Sequence, residues 1–249
     1  MTISVLTATY NAAAQLPHLI ESLRSQTDRD FEWIVVDGAS TDGTVDLLKS
    51  AYDLVIHWIS EPDFGIYHAL NKGLALAHGD YYLVVGSDDV LDPGAIERYR
   101  QAAATTQADI ISAPVWADRR LMVPRRPPSW LRSGPPLVSG HSVGALIRKD
   151  LHRELGPYSR QYPIAADTLF LLRALRAGKR FSYIDQPAGS FGTGGVSGSD
   201  VLGALSESFR ANVEVRGAWP LHFAFFILRV LKNGRRIGRQ QMRVAENDR

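Results

Sequence analysis

The chain has 249 residues, a formal net charge of +2, an apolar fraction of 45% and no cysteine. That is enough chain and apolar surface for one large domain or two small ones with a sizeable core. The missing cysteines exclude disulfides, thiolate metal sites and a cysteine nucleophile, and they fit a reducing compartment. The first strand pattern begins at Thr2, which leaves no room for a leader peptide. No apolar run reaches the roughly 18–20 residues of a membrane-spanning helix.

Ile3 to Thr7 reads as a short buried strand, broken by Ala8-Thr9-Tyr10-Asn11. Leu16, Leu19, Ile20 and Leu23 then share one helical face. Phe31 to Val36 is a second strand, ending at Asp37-Gly38, and Ser40-Thr41-Asp42-Gly43 carries turn and cap chemistry before the next helix. A third strand, Leu54 to Ile59, ends at Ser60-Glu61-Pro62-Asp63. Gly65 to Ala77 is a helix with Ile66, Ala69, Leu70, Leu74 and Ala77 inward. A fourth strand, Tyr81 to Val85, stops at Gly86 and delivers Asp88-Asp89.

Two adjacent carboxylates repel each other and lose hydration when buried. A divalent cation would compensate; a solvated turn with Asp88 capping the following helix is the plainer alternative. Four strands alternating with helices imply parallel pairing, right-handed crossovers and helices on both faces. Ligands of such sheets bind beyond the carboxyl ends of the strands. Thr7 to Asn11, Asp37, Glu61 to Asp63 and Asp88-Asp89 all fall at those ends and should converge on one crevice. No Gly-x-Gly-x-x-Gly follows the first strand and no Gly-Lys-Ser/Thr is present, which argues against a dinucleotide oxidoreductase and a P-loop nucleotidase.

With those residues placed, the chain resembles the family-2 glycosyltransferases, inverting enzymes of the GT-A fold. The matching segments are Thr7 to Asn11, Val35 to Thr44, Glu61 to Gly73 and Ser87-Asp88-Asp89, in the family's order. Glu61-Pro62-Asp63-Phe64-Gly65-Ile66-Tyr67-His68 is similar to a bacterial branch that builds surface polysaccharides and glycolipids. The resemblance covers roughly residues 2–195. It implies an α/β, Rossmann-like domain with a mostly parallel central sheet flanked by helices, plus C-terminal helices. Asp37 would accept from the nucleobase in a pocket formed with Thr7, Thr9 and Tyr10, next to Asn11. Asp63 and Asp88 would meet the base or ribose, and Asn71 and Lys72 would lie near the diphosphate. Asp89 would ligate Mn²⁺ or Mg²⁺. Leu70 stands where the family has arginine, and His68 and Ala166 are further departures.

Asp167 enters a helix in its first turn, where an acid also suits the helix dipole. In the family this position is the general base. His141 precedes the apolar stretch Val143 to Ile147; a structural role and a donor or acceptor contact both remain open. Gly192 to Ser197, with Gly194 and Gly195, has the composition of a closing loop over the diphosphate or of an ordinary connection. Pro124 to Pro136 reads as a Pro- and Arg-rich surface loop.

The expected organisation is a 1–200 glycosyltransferase domain, with a 1–92 nucleotide-sugar half and a 93–200 acceptor half, followed by a basic helical extension over 201–249. Between Glu214 and Glu246 there is no acidic residue. Arg229, Lys232, Arg236, Arg239 and Arg243 share a helical face, while Phe223, Ile227, Val230 and Ile237 lie on another. That pattern suits an anionic membrane surface through 219–243 or a helix packed on the domain, with Gly234 and Gly238 weakening the helix. The basic residues are confined to the tail, which argues against nucleic acid. The expected activity is metal-dependent, inverting transfer from a UDP- or GDP-sugar to a hydroxyl of a glycan or lipid-linked acceptor, in the cytoplasm or at the inner membrane face. A non-catalytic nucleotide-sugar-binding or scaffold subunit is the alternative.

Overall fold

The computed structural model describes residues 1–54, 56–124, 138–139, 141–192 and 200–247. Most of the Pro- and Arg-rich loop, and Gly194 and Gly195, lie outside the described residues. The chain folds as β1 (Ile3–Thr9), α1 (Leu16–Arg24), β2 (Phe31–Asp37), α2 (Thr44–Ser50), β3 (Ile56–Ser60), α3 (Ile66–Leu76) and β4 (Tyr81–Val84). Then follow β5 (Val90–Leu91), α4 (Ala95–Thr106), β6 (Ile110–Ser112), β7 (Val115–Ala117) and β8 (Arg120–Met122). A 3-10 turn (Ser142–Gly144) leads into β9 (Ala145–Arg148), α5 (Leu151–Leu155) and α6 (Ala166–Arg176). The last elements are β10 (Phe181–Tyr183), β11 (Gly189–Phe191), α7 (Val201–Arg216) and α8 (Trp219–Asn247).

The main sheet has the order β10-β6-β9-β4-β1-β2-β3, and β9 is antiparallel to both its neighbours. Period-two alternation divides the core. Val5, Trp33, Val35, Tyr81 and Leu83 face α1, α2 and α4, while Leu6, Ile34, Tyr82 and Val84 face α3, α5 and α6. Strands buried on both faces read as unbroken apolar runs, which is why β2 and β4 were legible. A second sheet, β5-β11-β7-β8, sits beside the carboxyl end of β4. It pairs Val90 and Leu91, immediately after the two aspartates, with Ser190 and Gly189.

Three sequence expectations need correction. Ile66 is exposed on α3, and Tyr67 is buried in its place. Asp88 does not cap a helix: β5 intervenes, and Gly94 with φ 81° precedes α4 without a side-chain cap. The helix α8 runs through Gly234 and Gly238 without a break. Packing continues past residue 200: Ala211 and Val215 of α7 belong to the same core cluster as Leu169 and Phe170 of α6. The two expected halves also share one sheet, since β9, β6 and β10 extend the strands of residues 1–92.

At the end of the sheet remote from the crevice, the buried Glu32 accepts from Ser4 Oγ at 2.5 Å, His78 N at 2.6 Å and Gly79 N at 3.0 Å. A Cβ on Gly79 would overlap Ser4 Oγ and stand 2.7 Å from the Ser4 nitrogen and 2.8 Å from the Tyr81 carbonyl oxygen. Backbone cannot yield there, so Gly79→Ala is expected to destabilise the protein by about 1–3 kcal/mol. A urea titration measures this, and nucleotide binding to the folded fraction should not change.

Candidate active site

Strand register builds the crevice floor. Thr9, Asp37 and Ser60 are partners across β1, β2 and β3 at their carboxyl ends. Asp37 is fully buried and accepts from Thr9 Oγ1 at 2.9 Å, Ser40 Oγ at 2.5 Å, Ser60 Oγ at 2.6 Å and the Ser40 amide at 2.9 Å. Burial pushes its pKa up, but the hydroxyls of Ser40, Ser60 and Thr9 and the Ser40 amide outweigh it, and the net shift is downward. Asp37 is thus an ionised anchor whose oxygens are already engaged. Ser40 and Ser60 were missed from sequence; register opposite a buried carboxylate is the signal that would have found them.

The expected pocket residues separate into distinct groups. Thr7 is buried, and its hydroxyl accepts from the Trp33 indole at 3.0 Å, so it belongs to the core and not to a pocket wall. Asn11, at φ 48°, accepts from the Thr41 amide at 3.0 Å and ties the loop after β1 to the loop after β2. Tyr10 is 69% exposed and lies over Gly38 beside Asp63. A Cβ on Gly38 would stand 3.0 Å from Asp63 Oδ2 and 3.3 Å from Tyr10 Cδ2, so the missing side chain opens a slot between an aromatic face and a carboxylate. Asn71 exchanges two hydrogen bonds with the Tyr158 backbone, at 2.9 and 3.0 Å, which engages both ends of its amide. Lys72 is paired with Glu61 at 2.7 Å. The departures Leu70 and Ala166 are buried in the core, and His68 Nδ1 accepts from the Phe64 amide at 3.1 Å.

Gly86 shapes the acidic pair. A Cβ there would lie 2.9 Å from Asp89 Oδ2 and 3.1 Å from Asp88 Oδ1, so both carboxylates fold over the glycine. Asp89 is 1% exposed and accepts from the Gly86 amide at 2.7 Å and the Gly192 amide at 3.3 Å. Burial raises its pKa to about 7; the charge of Asp88 adds to the rise and the two amides oppose it. Asp88 is partly buried and abuts Gly192, where a Cβ would overlap Oδ2. Among the described residues no three His, Cys, Asp or Glu side chains converge to hold a metal alone. A carboxylate pair nevertheless fits Mg²⁺ or Mn²⁺, which keep several waters and share phosphate ligands, and a cation there would offset the burial and the neighbouring charge that raise the Asp89 pKa.

Asp167 is the third carboxylate. It lies in the first turn of α6 and accepts from Tyr67 Oη at 2.9 Å and the Thr168 amide at 2.6 Å, both on Oδ1. Burial raises its pKa, and the bonds from Tyr67 and Thr168 offset only part of the rise. Tyr67 is a partner of Asp167 that the sequence pattern does not place at the site. A tyrosine in an apolar helical stripe needs a polar partner for its hydroxyl, and that was the available signal.

His141 stands between the two acidic groups. Its ring stacks on Phe191 at 4.0 Å between centroids, and Nδ1 lies 3.9 Å from Asp89 Oδ2. Burial lowers its pKa to about 4, although Asp167 and Asp88 pull the other way, so it is neutral at pH 7. A cavity of about 70 Å³ opens between His141 and Asp167, walled by Val84, Ala145, Tyr158 and Leu171. Phe191 and Gly192 reach this point because β11 pairs with β5.

The family model for glycosyl transferase family 2 matches residues 4–158. A PGL/p-HBAD biosynthesis glycosyltransferase of Mycobacterium bovis (strain BCG / Pasteur 1173P2) is 41% identical over 93 residues, covering 35% of this chain and 36% of that protein. The match therefore spans about a third of that relative's length. Among solved structures, S. aureus TarS 1-349 in complex with UDP-GlcNAc superposes with a TM-score of 0.65 at 20% identity, covering 91% of this chain and 70% of that one. The mannosyltransferase PcManGT from Pyrobaculum calidifontis, in complex with GDP-Man and Mn²⁺, gives 0.65 at 18% identity, covering 93% and 74%. These two likenesses speak for the fold, and the extent of the family match for the assignment: the chain belongs to glycosyl transferase family 2.

Proposed function

We propose that the chain is a metal-dependent, inverting glycosyltransferase. It moves a sugar from a UDP- or GDP-sugar to a hydroxyl of a glycan or lipid-linked acceptor in cell-surface polysaccharide or glycolipid synthesis. The observation that carries this reading is the placement of Asp167 and the Asp88-Asp89 pair on two sides of His141, at the carboxyl end of one sheet. Relatives bound to UDP-GlcNAc and to GDP-Man with Mn²⁺ support the donor class.

Tyr10 and Asp63 flank the nucleobase slot over Gly38, and Asp37 with Thr9 keeps its floor in place. Asp88 meets the ribose side, with Lys72 toward the diphosphate. Asp89 and Asp88 would hold the Mn²⁺ or Mg²⁺ ion, which acts as a Lewis acid toward the leaving diphosphate. Asp167 takes the acceptor hydroxyl's proton as that oxygen attacks the anomeric carbon; the bond from that carbon to the diphosphate oxygen breaks and the nucleoside diphosphate leaves. Attack opposite the leaving group inverts the configuration. A carboxylate with a raised pKa is a stronger base, which suits this task. Neutral His141 orients a sugar hydroxyl without adding charge.

The tail supports an inner-membrane location. Leu221, Phe223, Ile227, Leu228 and Leu231 form an exposed apolar surface on α8, and exposed Lys232, Arg235 and Arg236 follow it. No helix among the described residues is long and apolar enough to cross a bilayer. Such a helix would lie in the interface of an anionic membrane. This surface differs from the expected one: Val230 and Ile237 are only partly exposed.

Three outcomes test these readings. Asp167→Asn should lower kcat by roughly 10²–10⁴-fold with donor binding kept, as measured by donor turnover and isothermal titration; a kcat within a few fold of wild type would remove Asp167 as the base. Mn²⁺ binding in the presence of nucleoside diphosphate should weaken as pH falls below about 7, because the ion then competes with the proton on Asp89. That pH dependence should vanish in Asp89→Asn. In flotation with anionic liposomes, a Leu228→Glu/Leu231→Glu variant should stay with the soluble fraction while wild type floats; equal behaviour would end the membrane reading.

A further inference from the structure

The N-terminal turn of α6, which carries Asp167, is gripped from both sides by residues remote in sequence. From α3, the Tyr67 hydroxyl reaches Asp167 Oδ1 at 2.9 Å and the Ile164 carbonyl oxygen at 3.1 Å. From α7, Glu207 Oε2 accepts from the Ile164 amide at 2.9 Å and the Ala165 amide at 2.8 Å. Ala165 is the N-cap residue of α6 and offers no side-chain cap, so the orphan amides before the helix are satisfied in trans. Glu207 is 8% exposed, and a buried carboxylate is retained only where its oxygens are bonded.

Resting on the reading of Asp167 as the base, we propose that Glu207 is a positioning residue for Asp167. With Tyr67 it fixes the turn from which Asp167 faces the acceptor, so α7 belongs to the catalytic apparatus. The Tyr67 hydroxyl has one hydrogen and two acceptors, which suits a base that changes protonation. It donates to Oδ1 while Asp167 is ionised, and it can turn to the Ile164 carbonyl when Asp167 carries the proton. Glu207 keeps that carbonyl within reach by holding the amide of the same residue. Around Asp167 the other polar or titratable groups are Thr168 on its own helix, His141 and Ser142 before β9, Tyr82 on β4 and Tyr158 after α5.

The test uses the full chain with Glu207→Ala, Glu207→Gln and Tyr67→Phe. Turnover of UDP- and GDP-sugars is measured per folded molecule. The Asp167 side chain is titrated by NMR with carboxyl-¹³C aspartate, its signal identified by its loss in Asp167→Asn. A misplaced catalytic group loses roughly 10²-fold in rate. Glu207→Ala should lose about that much in kcat with KM and nucleoside diphosphate binding unchanged. Glu207→Gln should recover most of it, because a carboxamide oxygen can accept the same two amides. In the titration the Asp167 midpoint should fall in Glu207→Ala, as water enters the loosened turn, and rise in Tyr67→Phe, which removes a donor to the carboxylate. Unchanged kcat in Glu207→Ala, or a midpoint that neither variant moves, would overturn the proposal. Should wild type turn over no donor, the functional reading fails while the titration still decides the clamp; should Glu207→Ala not fold, the other two variants carry the test.

Discussion

A carboxylate with almost no access to water, Asp89, sits at the end of β4 with another acid beside it. The site around it is organised by that constraint. Only Gly86 lets the two carboxylates fold back over the strand end, and only Gly192 lets β11 approach Asp88. Two backbone amides then reach Asp89, and the stacked rings of His141 and Phe191 lie beside it. These contacts do not supply a positive charge, and Asp89 remains near neutrality. Asp37 is the opposite case at the same sheet edge. Three hydroxyls and an amide surround it and keep it ionised without a cation. Two buried acids a few strands apart therefore have different tasks. One is a permanent structural anion, and the other, its pKa raised by burial, is the acid proposed to hold a cation.

Much of the fold was legible because its signals are local. Apolar runs buried on both faces mark β1, β2 and β4, and the break at the end of each run marks the crevice. The helical period places α3 correctly but turned slightly, with Ile66 inward and Tyr67 outward, the reverse of their burial. Periodicity cannot tell a core aromatic from a functional one when the deciding contact, here with Asp167, spans a hundred residues. The hydroxyl cage of Asp37 was hidden for a similar reason: Ser60 matters through strand register, which a single strand does not display. Thr7 shows the reverse error. It stands inside the motif, yet alternation turns it toward Trp33 and into the core.

Composition and packing divide the C-terminal region at different places. The basic, acid-poor segment suggested an extension from residue 201, but Val201, Leu205, Ala211 and Val215 give α7 a buried stripe against the domain. The chain reverses at Gly217 and Ala218, consecutive residues with φ of 66° and 48°. Beyond them α8 folds back along α7, with Phe226 against Phe209, His222 buried and the Val201 amide donating to Gln240 at 3.2 Å, and it leaves Leu228 and Leu231 in solvent. Burial of α7 delivers Glu207 to the amides before α6, whereas exposure of α8 leaves an apolar surface to be covered. The same stretch of sequence thus holds one helix that grips the turn carrying Asp167 and one that carries the proposed membrane face. A chain ending after Gly217 would keep the grip on Asp167 and lose the exposed apolar surface, while a chain ending before Val201 would lose both.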